Sequence, residues 1–199
     1  GSGGYSSRLS LLKDAVRSFL DKLDAHPGNI NIALVVFSST SSILLSGTLD
    51  DVQAALSGNN VSLASVTADG GANYEAAFKT TNAWFAGIEG NHYENLAYFL
   101  TDGDPTTYTG DNSDTGSTVN INDVTRALDD ASVLMGRAEL HAIGIGSGIN
   151  SDVLRYFDNT DQLTGNVSTN VVGGTVHAQV GQPEIVLTAD QLLATLDPG

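Results

Sequence analysis

The chain has 199 residues, a formal net charge of −15 with only eight Lys and Arg, and no cysteine. That length holds one well-buried domain and is short for two. The charge repels phosphate backbones and anionic lipid heads, which argues against nucleic acid and bare membrane as partners, and the lack of thiols excludes disulfides and thiolate metal sites.

No apolar stretch approaches the ~20 residues of a membrane helix, so no direct membrane insertion is expected, and Gly1-Ser2-Gly3-Gly4 lacks the regions of a signal peptide. From Arg8 to Leu23, apolar residues at 9, 12, 16, 19, 20 and 23 mark one face of a helix that His26-Pro27-Gly28 would end. The run Ile30 to Phe37 and the shorter Ile43-Leu44-Leu45, joined by a serine-rich turn, predict an antiparallel hairpin at one edge of a sheet. Thr48 with Asp51 resembles a capping box for a helix through Leu56.

Asp69 to Asn73 reads as a loop, and Ala77, Phe78, Trp84 and Phe85 predict a core-facing helix over 74–88. It leads to a strand, Leu96 to Thr101, that stops at Asp102-Gly103-Asp104-Pro105. Thr106 to Thr118 has no periodicity and reads as an inserted loop. A helix over 121–135, a strand over 138–145 and a short helix over 151–157 follow. Residues 165–182 read as a second insertion, a loop or small hairpin, before a last strand at Glu184 to Leu187 and a helix capped by Thr188 and Gln191. Alternation of strand and helix implies an α/β fold with a parallel sheet and a single domain over 1–199.

In such a sheet ligands gather beyond the carboxyl ends of the strands, so Asp102 and Asp104 are placed to offer hard oxygen atoms to a divalent cation. Both also suit the capping of a turn, and Asn73 and Tyr74 read as a helix cap and a packing aromatic. The loop Asp111-Asn112-Ser113-Asp114, with Asp123 nearby, is a second candidate cation site, for calcium, against the alternative of a solvated loop. Gly144-Ile145-Gly146-Ser147-Gly148 follows a strand, as a dinucleotide turn does, but Ile149 replaces the third glycine of that motif. His26, His92, His141 and His177 show no zinc spacing and read as surface or turn residues, and no serine has an identifiable base partner.

Four segments together resemble the von Willebrand factor type A domain: Ile32 to Ser38, Gly70 to Ala77, Leu100 to Pro105, and Ile143 to Gly146. The resemblance implies a three-layer, doubly wound, mostly parallel sheet with one antiparallel edge strand and helices on both faces. It implies a metal-ion-dependent adhesion site at the carboxyl edge, where Asp102 matches the family's aspartate and Gly71, Ala72 and Asn73 form the rim loop. Ala72 stands where the family has threonine and offers no lone pair. The family's first central strand, with its Asp-x-Ser-x-Ser, has no counterpart in the given chain, which would leave its neighbours without hydrogen-bond partners.

In style the chain is most similar to the A domains of large repeat-in-toxin adhesins of bacteria. That implies a non-enzymatic, extracellular recognition module at the bacterial cell surface, with magnesium or calcium as cofactor. Its partners would be a protein, a cell-surface ligand or neighbouring adhesin domains. The competing expectations are a spacer domain with a degenerate metal site and a nucleotide-binding enzyme domain using the Gly144 to Gly148 turn.

Overall fold

The computed structural model describes residues 30–37, 42–48, 64–66, 73–87, 94–101, 104–106, 108, 118–146, 149–187, 191 and 194. The expected helices over 8–23 and after Thr48 lie outside these residues. The strands are β1 (Ile30–Phe37), β2 (Ser42–Thr48), β3 (Ala64–Val66), β4 (Glu94–Thr101), β5 (Glu139–Ile145), β6 (Val167–Val171), β7 (Gly174–Ala178) and β8 (Glu184–Val186). The helices are α1 (Tyr74–Ala86), α2 (Ile121–Met135) and the single turn α3 (Ser151–Leu154), which runs into a 3-10 turn at Arg155–Phe157.

Six strands form one sheet in the order β3-β2-β1-β4-β5-β8. β1, β4, β5 and β8 are mutually parallel, and β2 is antiparallel to both β1 and β3. The three-residue β3, too short to leave a periodic signal, adds outside β2, so the antiparallel strand stands one place in from the edge. The expected gap at the centre of the sheet is not there: β1 and β4 pair directly from Ile30↔Glu94 to Phe37↔Thr101. Both strands have eight residues with an apolar run inside them, Ile32 to Phe37 and Leu96 to Leu100, and each supplies the ladder partners that a strand between them would have supplied.

α1 begins where the side chain of Asn73 accepts the N–H of Ala76 at 3.0 Å, satisfying one of the helix's unpaired amides. Tyr74, Ala77, Phe78, Thr81 and Phe85 then form its buried face, and Gly87 ends it. α2 begins with a capping box, in which Asp123 Oδ2, three residues in, accepts the N–H of the cap residue Asn120 at 2.9 Å, and it buries Val124, Ala127, Ala131 and Leu134. These two faces pack on Ala97, Phe99, Leu140 and Ala142 of the sheet. Phe78 stacks on Phe157 with ring centroids 5.6 Å apart, and Tyr74 meets Phe99 edge-on at 4.7 Å.

The alternate residues Leu96, Tyr98, Leu100 and Ile143 are buried on the opposite face. Helical Ala194 lies on that side, beside Tyr98 and His141. Residues 165–182 contain the hairpin of β6 and β7, which folds over the start of α2 through Val176 and a bond from Ile121 N–H to the carbonyl of Val172 at 2.8 Å. Gly173, with φ of 89°, supplies the left-handed turn between the two strands.

β8 reaches only the last three residues of β5, from Ile143 to Ile145. Before that point side chains take over the edge of β5: Asp158 Oδ2 accepts the N–H of Ala142, and Asn159 Oδ1 that of Leu140, each at 2.8 Å. Buried backbone donors are thereby satisfied where no strand is available.

Candidate functional site

The carboxyl ends of β4 and β5 and the first turn of α1 meet at one rim of the sheet. Thr101, the last residue of β4, is fully buried and lies 3.4 Å from the hydroxyl of Tyr74, which fixes the strand end against α1. Beyond it Asp104 is half-buried and Pro105 buried. Asp104 Oδ1 accepts the backbone N–H of Asn150 at 2.8 Å. Asn150 is itself the cap of α3, its side chain accepting the N–H of Asp152 at 3.0 Å. The loops after β4 and after β5 are therefore tied together at the rim by Asp104.

Burial pushes the carboxyl pKa of Asp104 up, and the Asn150 bond offsets part of that rise. Oδ2 of Asp104 has no hydrogen bond among the described residues, and no cationic side chain among them pairs with it. A half-buried carboxylate with one uncommitted oxygen suits one position in the shell of a hard cation. The cage is not complete in the described part: among the described residues no group of three or more His, Asp or Glu lies close enough to hold a metal ion. Asp102, Gly71 and Ala72 lie outside those residues, as do Asp111 and Asp114.

The remaining sequence candidates have definite places. Asn73 is the cap of α1, its Oδ1 committed to Ala76. Asp123 is fully buried in the cap of α2, far in role from an exposed loop ligand. Glu75, one turn into α1, is buried with Lys79 Nζ at 3.9 Å, and Lys79 also reaches Asp130 at 3.1 Å.

Gly144 is a packing glycine: a Cβ there would lie 2.7 Å from Ile185 Cδ1 and 2.9 Å from Ile149 Cγ2. Gly146 sits at φ of 102°, and its N–H donates to the carbonyl of Val186 at 2.9 Å. That amide is occupied, and the following helix has four residues, so the described part of this turn joins β5 to β8 and offers no phosphate a long helix terminus.

His141 lies on β5, within the strand expected over 138–145, and is partly exposed, and His177 on β7 is exposed, as a surface residue is expected to be. His141 stacks on Tyr98 across β4 and β5, a direct result of their register. One serine does have a base partner: Ser168 Oγ lies 2.7 Å from His177 Nδ1 across the β6–β7 hairpin. Both are exposed, and no carboxylate orients the imidazole among the described residues, so the pair lacks the third group that activates a nucleophile.

Asn150 and Asp158 were not singled out by sequence reasoning. An Asn before Ser151 is a recognisable helix cap, but its bond to Asp104 spans 46 positions and leaves no local trace. Asp158 shows no pattern at all.

A family model described as von Willebrand factor type A domain matches residues 1–104. Among solved structures, a von Willebrand factor type A protein from Catenulispora acidiphila matches with TM-score 0.58 and 16% identity, over 98% of this chain and 38% of its own. Proximal thread matrix protein 1 from the mussel byssus matches with TM-score 0.52 and 16% identity, over 98% of this chain and 42% of its own. The chain thus spans about two fifths of the length of either structure, and at this identity the likeness shows the fold. No curated relative matches the chain.

Proposed function

Because the chain belongs to the von Willebrand factor type A family, we propose that it is a non-enzymatic recognition module that meets a protein partner or a neighbouring domain with the loops at the carboxyl edge of its sheet. The observation that carries this reading is Asp104: a partly desolvated carboxylate, held at the rim by Asn150, with one oxygen left for an outside group. Asp102 directly follows Thr101 in the sequence. Asp102 and Asp104 are the residues to hold magnesium or calcium, with water and the partner completing the shell. A bound cation supplies the positive charge that lets two acidic surfaces meet without repulsion.

The strongly acidic, cysteine-free composition supports an extracellular setting, and we place the module at a bacterial cell surface, within a repeat-in-toxin adhesin. A spacer role is favoured by a different observation: Asn73 Oδ1 and Asp123 Oδ2 are spent on the starts of helices, and Ala72 has no side-chain oxygen to give.

Calorimetric titration with magnesium, calcium and manganese decides between the two. The recognition reading expects saturable binding that is lost in Asp102→Ala and weakened in Asp104→Ala. A chain indifferent to all three ions is the spacer.

A further inference from the structure

We propose that the face of the sheet opposite α1 and α2 carries a second binding site, independent of the carboxyl rim, that takes a guanidinium group. A cavity of about 460 Å³ opens there, lined by Tyr98, His141, Ile143, Asp161, Gln182 and Glu184 among others. It exists because β8 stops at Glu184, opposite Ile143, and leaves the edge of β5 away from β4 without a strand along its first half among the described residues. The volume is that of a small-molecule site.

The chemistry of the lining selects the ligand. Tyr98 and His141 stack with centroids 4.8 Å apart and planes 13° from parallel, the His141 side chain is 31% exposed, and both residues line the cavity. Glu139 Oε1 lies 2.8 Å from His141 Nε2 and fixes the ring's orientation. Glu184 and Asp161 are exposed carboxylates in the lining, and among the described residues no Lys or Arg lines it. Asp158 adds its charge from beneath, with both oxygens already bonded to Ala142, Thr160 and Gln182.

A negative, ring-lined cavity repels anions and attracts cations. Among the described residues the acidic and imidazole groups do not cluster as a metal site does, which leaves an organic cation. Of the two biological kinds, guanidinium is planar, stacks on aromatic faces and forks onto carboxylates, whereas ammonium is a compact and strongly hydrated point charge. The partly apolar walls, Ala142, Ile143 and Ala194, suit the more weakly hydrated of the two.

The test is calorimetry of the whole chain with agmatine, with the capped peptide acetyl-Gly-Arg-Gly-amide, and with cadaverine as the ammonium control. Saturable binding of agmatine or of the peptide is expected, with cadaverine about tenfold weaker. Tighter binding of the peptide identifies an arginine side chain as the natural group, and tighter binding of agmatine a free guanidine. Glu184→Gln and Asp161→Asn are each expected to weaken binding about tenfold. Asn is well suited to the left-handed backbone of Asp161, φ 47°, so this variant keeps the fold. Asp102→Ala should leave guanidinium binding unchanged, which separates this site from the rim. The proposal is overturned by the lack of saturable heat below about 10 mM agmatine, by cadaverine binding equally well, or by a Glu184→Gln, Asp161→Asn double variant that binds like the parent.

Discussion

Asp104 accepts the backbone N–H of Asn150 at 2.8 Å, so a single carboxylate oxygen joins the loop that leaves β4 to the cap of α3 beyond β5. This bond gives the rim one rigid acidic point while the second oxygen stays available.

Asp104 makes stability depend on pH with a definite sign. Desolvation raises its carboxyl pKa above the ordinary 3.8 in the folded chain. The folded state therefore holds that proton more tightly than the unfolded state. The resulting stability is fully present below pH 3.8 and is lost as pH rises through the raised folded value. Asp104→Asn keeps an acceptor for Asn150 and cannot titrate, so it should melt above the parent at about pH 7 and with it at about pH 3. Thermal unfolding across that range checks the order; a variant that melts lower at neutral pH would show that the charged form is the stabilising one.

Asp158 carries a buried junction. Its carboxylate accepts the N–H groups of Ala142, Thr160 and Gln182, and it is 2% exposed. Asp158→Ala leaves the N–H groups of Ala142 and Thr160 without that acceptor, while Gln182 keeps the carbonyl of Thr160, and is expected to cost about 3 kcal/mol in urea unfolding. Asp158→Asn, which retains a carbonyl oxygen, should lose less than half of that. Equal losses in the two variants would mean that packing, and not the bonds, matters at this position.

Gly144 has no room for a methyl group. Gly144→Ala drives a Cβ against Ile185 Cδ1, Ile149 Cγ2 and Leu154 Cδ2, and should cost about 2 kcal/mol. Ile185→Val removes the nearest of those atoms. A double-mutant cycle should then show the pair costing about 1 kcal/mol less than the sum of its singles. Additive singles would contradict the proximity.

Tyr156 fastens the β6–β7 hairpin to the body of the domain. Its hydroxyl lies 2.8 Å from both the carbonyl of Val167 and Thr169 Oγ1. Tyr156→Phe keeps the buried ring and is expected to lose about 1 kcal/mol. Amide hydrogen exchange should accelerate in residues 167–178 and stay unchanged in β4 and β5. Uniform acceleration would show that the hairpin does not open as a separate unit.

Much of the fold was legible from local pattern. Ala77, Phe78 and Phe85 mark the buried face of α1, and the expected helix over 121–135 has the bounds of α2. Unbroken apolar runs, Ile32 to Phe37 and Leu96 to Leu100, signalled β1 and β4, the first closed by a serine-rich turn and the second by an acidic one, and an apolar-rich stretch before Gly146 signalled β5. β3 was not legible, because three residues carry no period. The candidate site was legible only in part: the strand end at Thr101 marks the rim and Asn73 caps α1 as its residue type suggests, but Asp123, a candidate ligand beside the 111–114 loop, is buried in the first turn of α2.

The sequence by itself determined the alternation of strands and helices, the acidic surface and the acidic strand end at Asp102 and Asp104, because each depends on residues a few positions apart. Only the tertiary structure decided that β1 and β4 lie side by side, that Asp104 reaches Asn150, and that Tyr98 stacks on His141 beside Glu184. Those contacts join segments that are distant in the chain. They form when buried backbone groups must find partners and apolar faces must find each other, and no local spacing records which ones do.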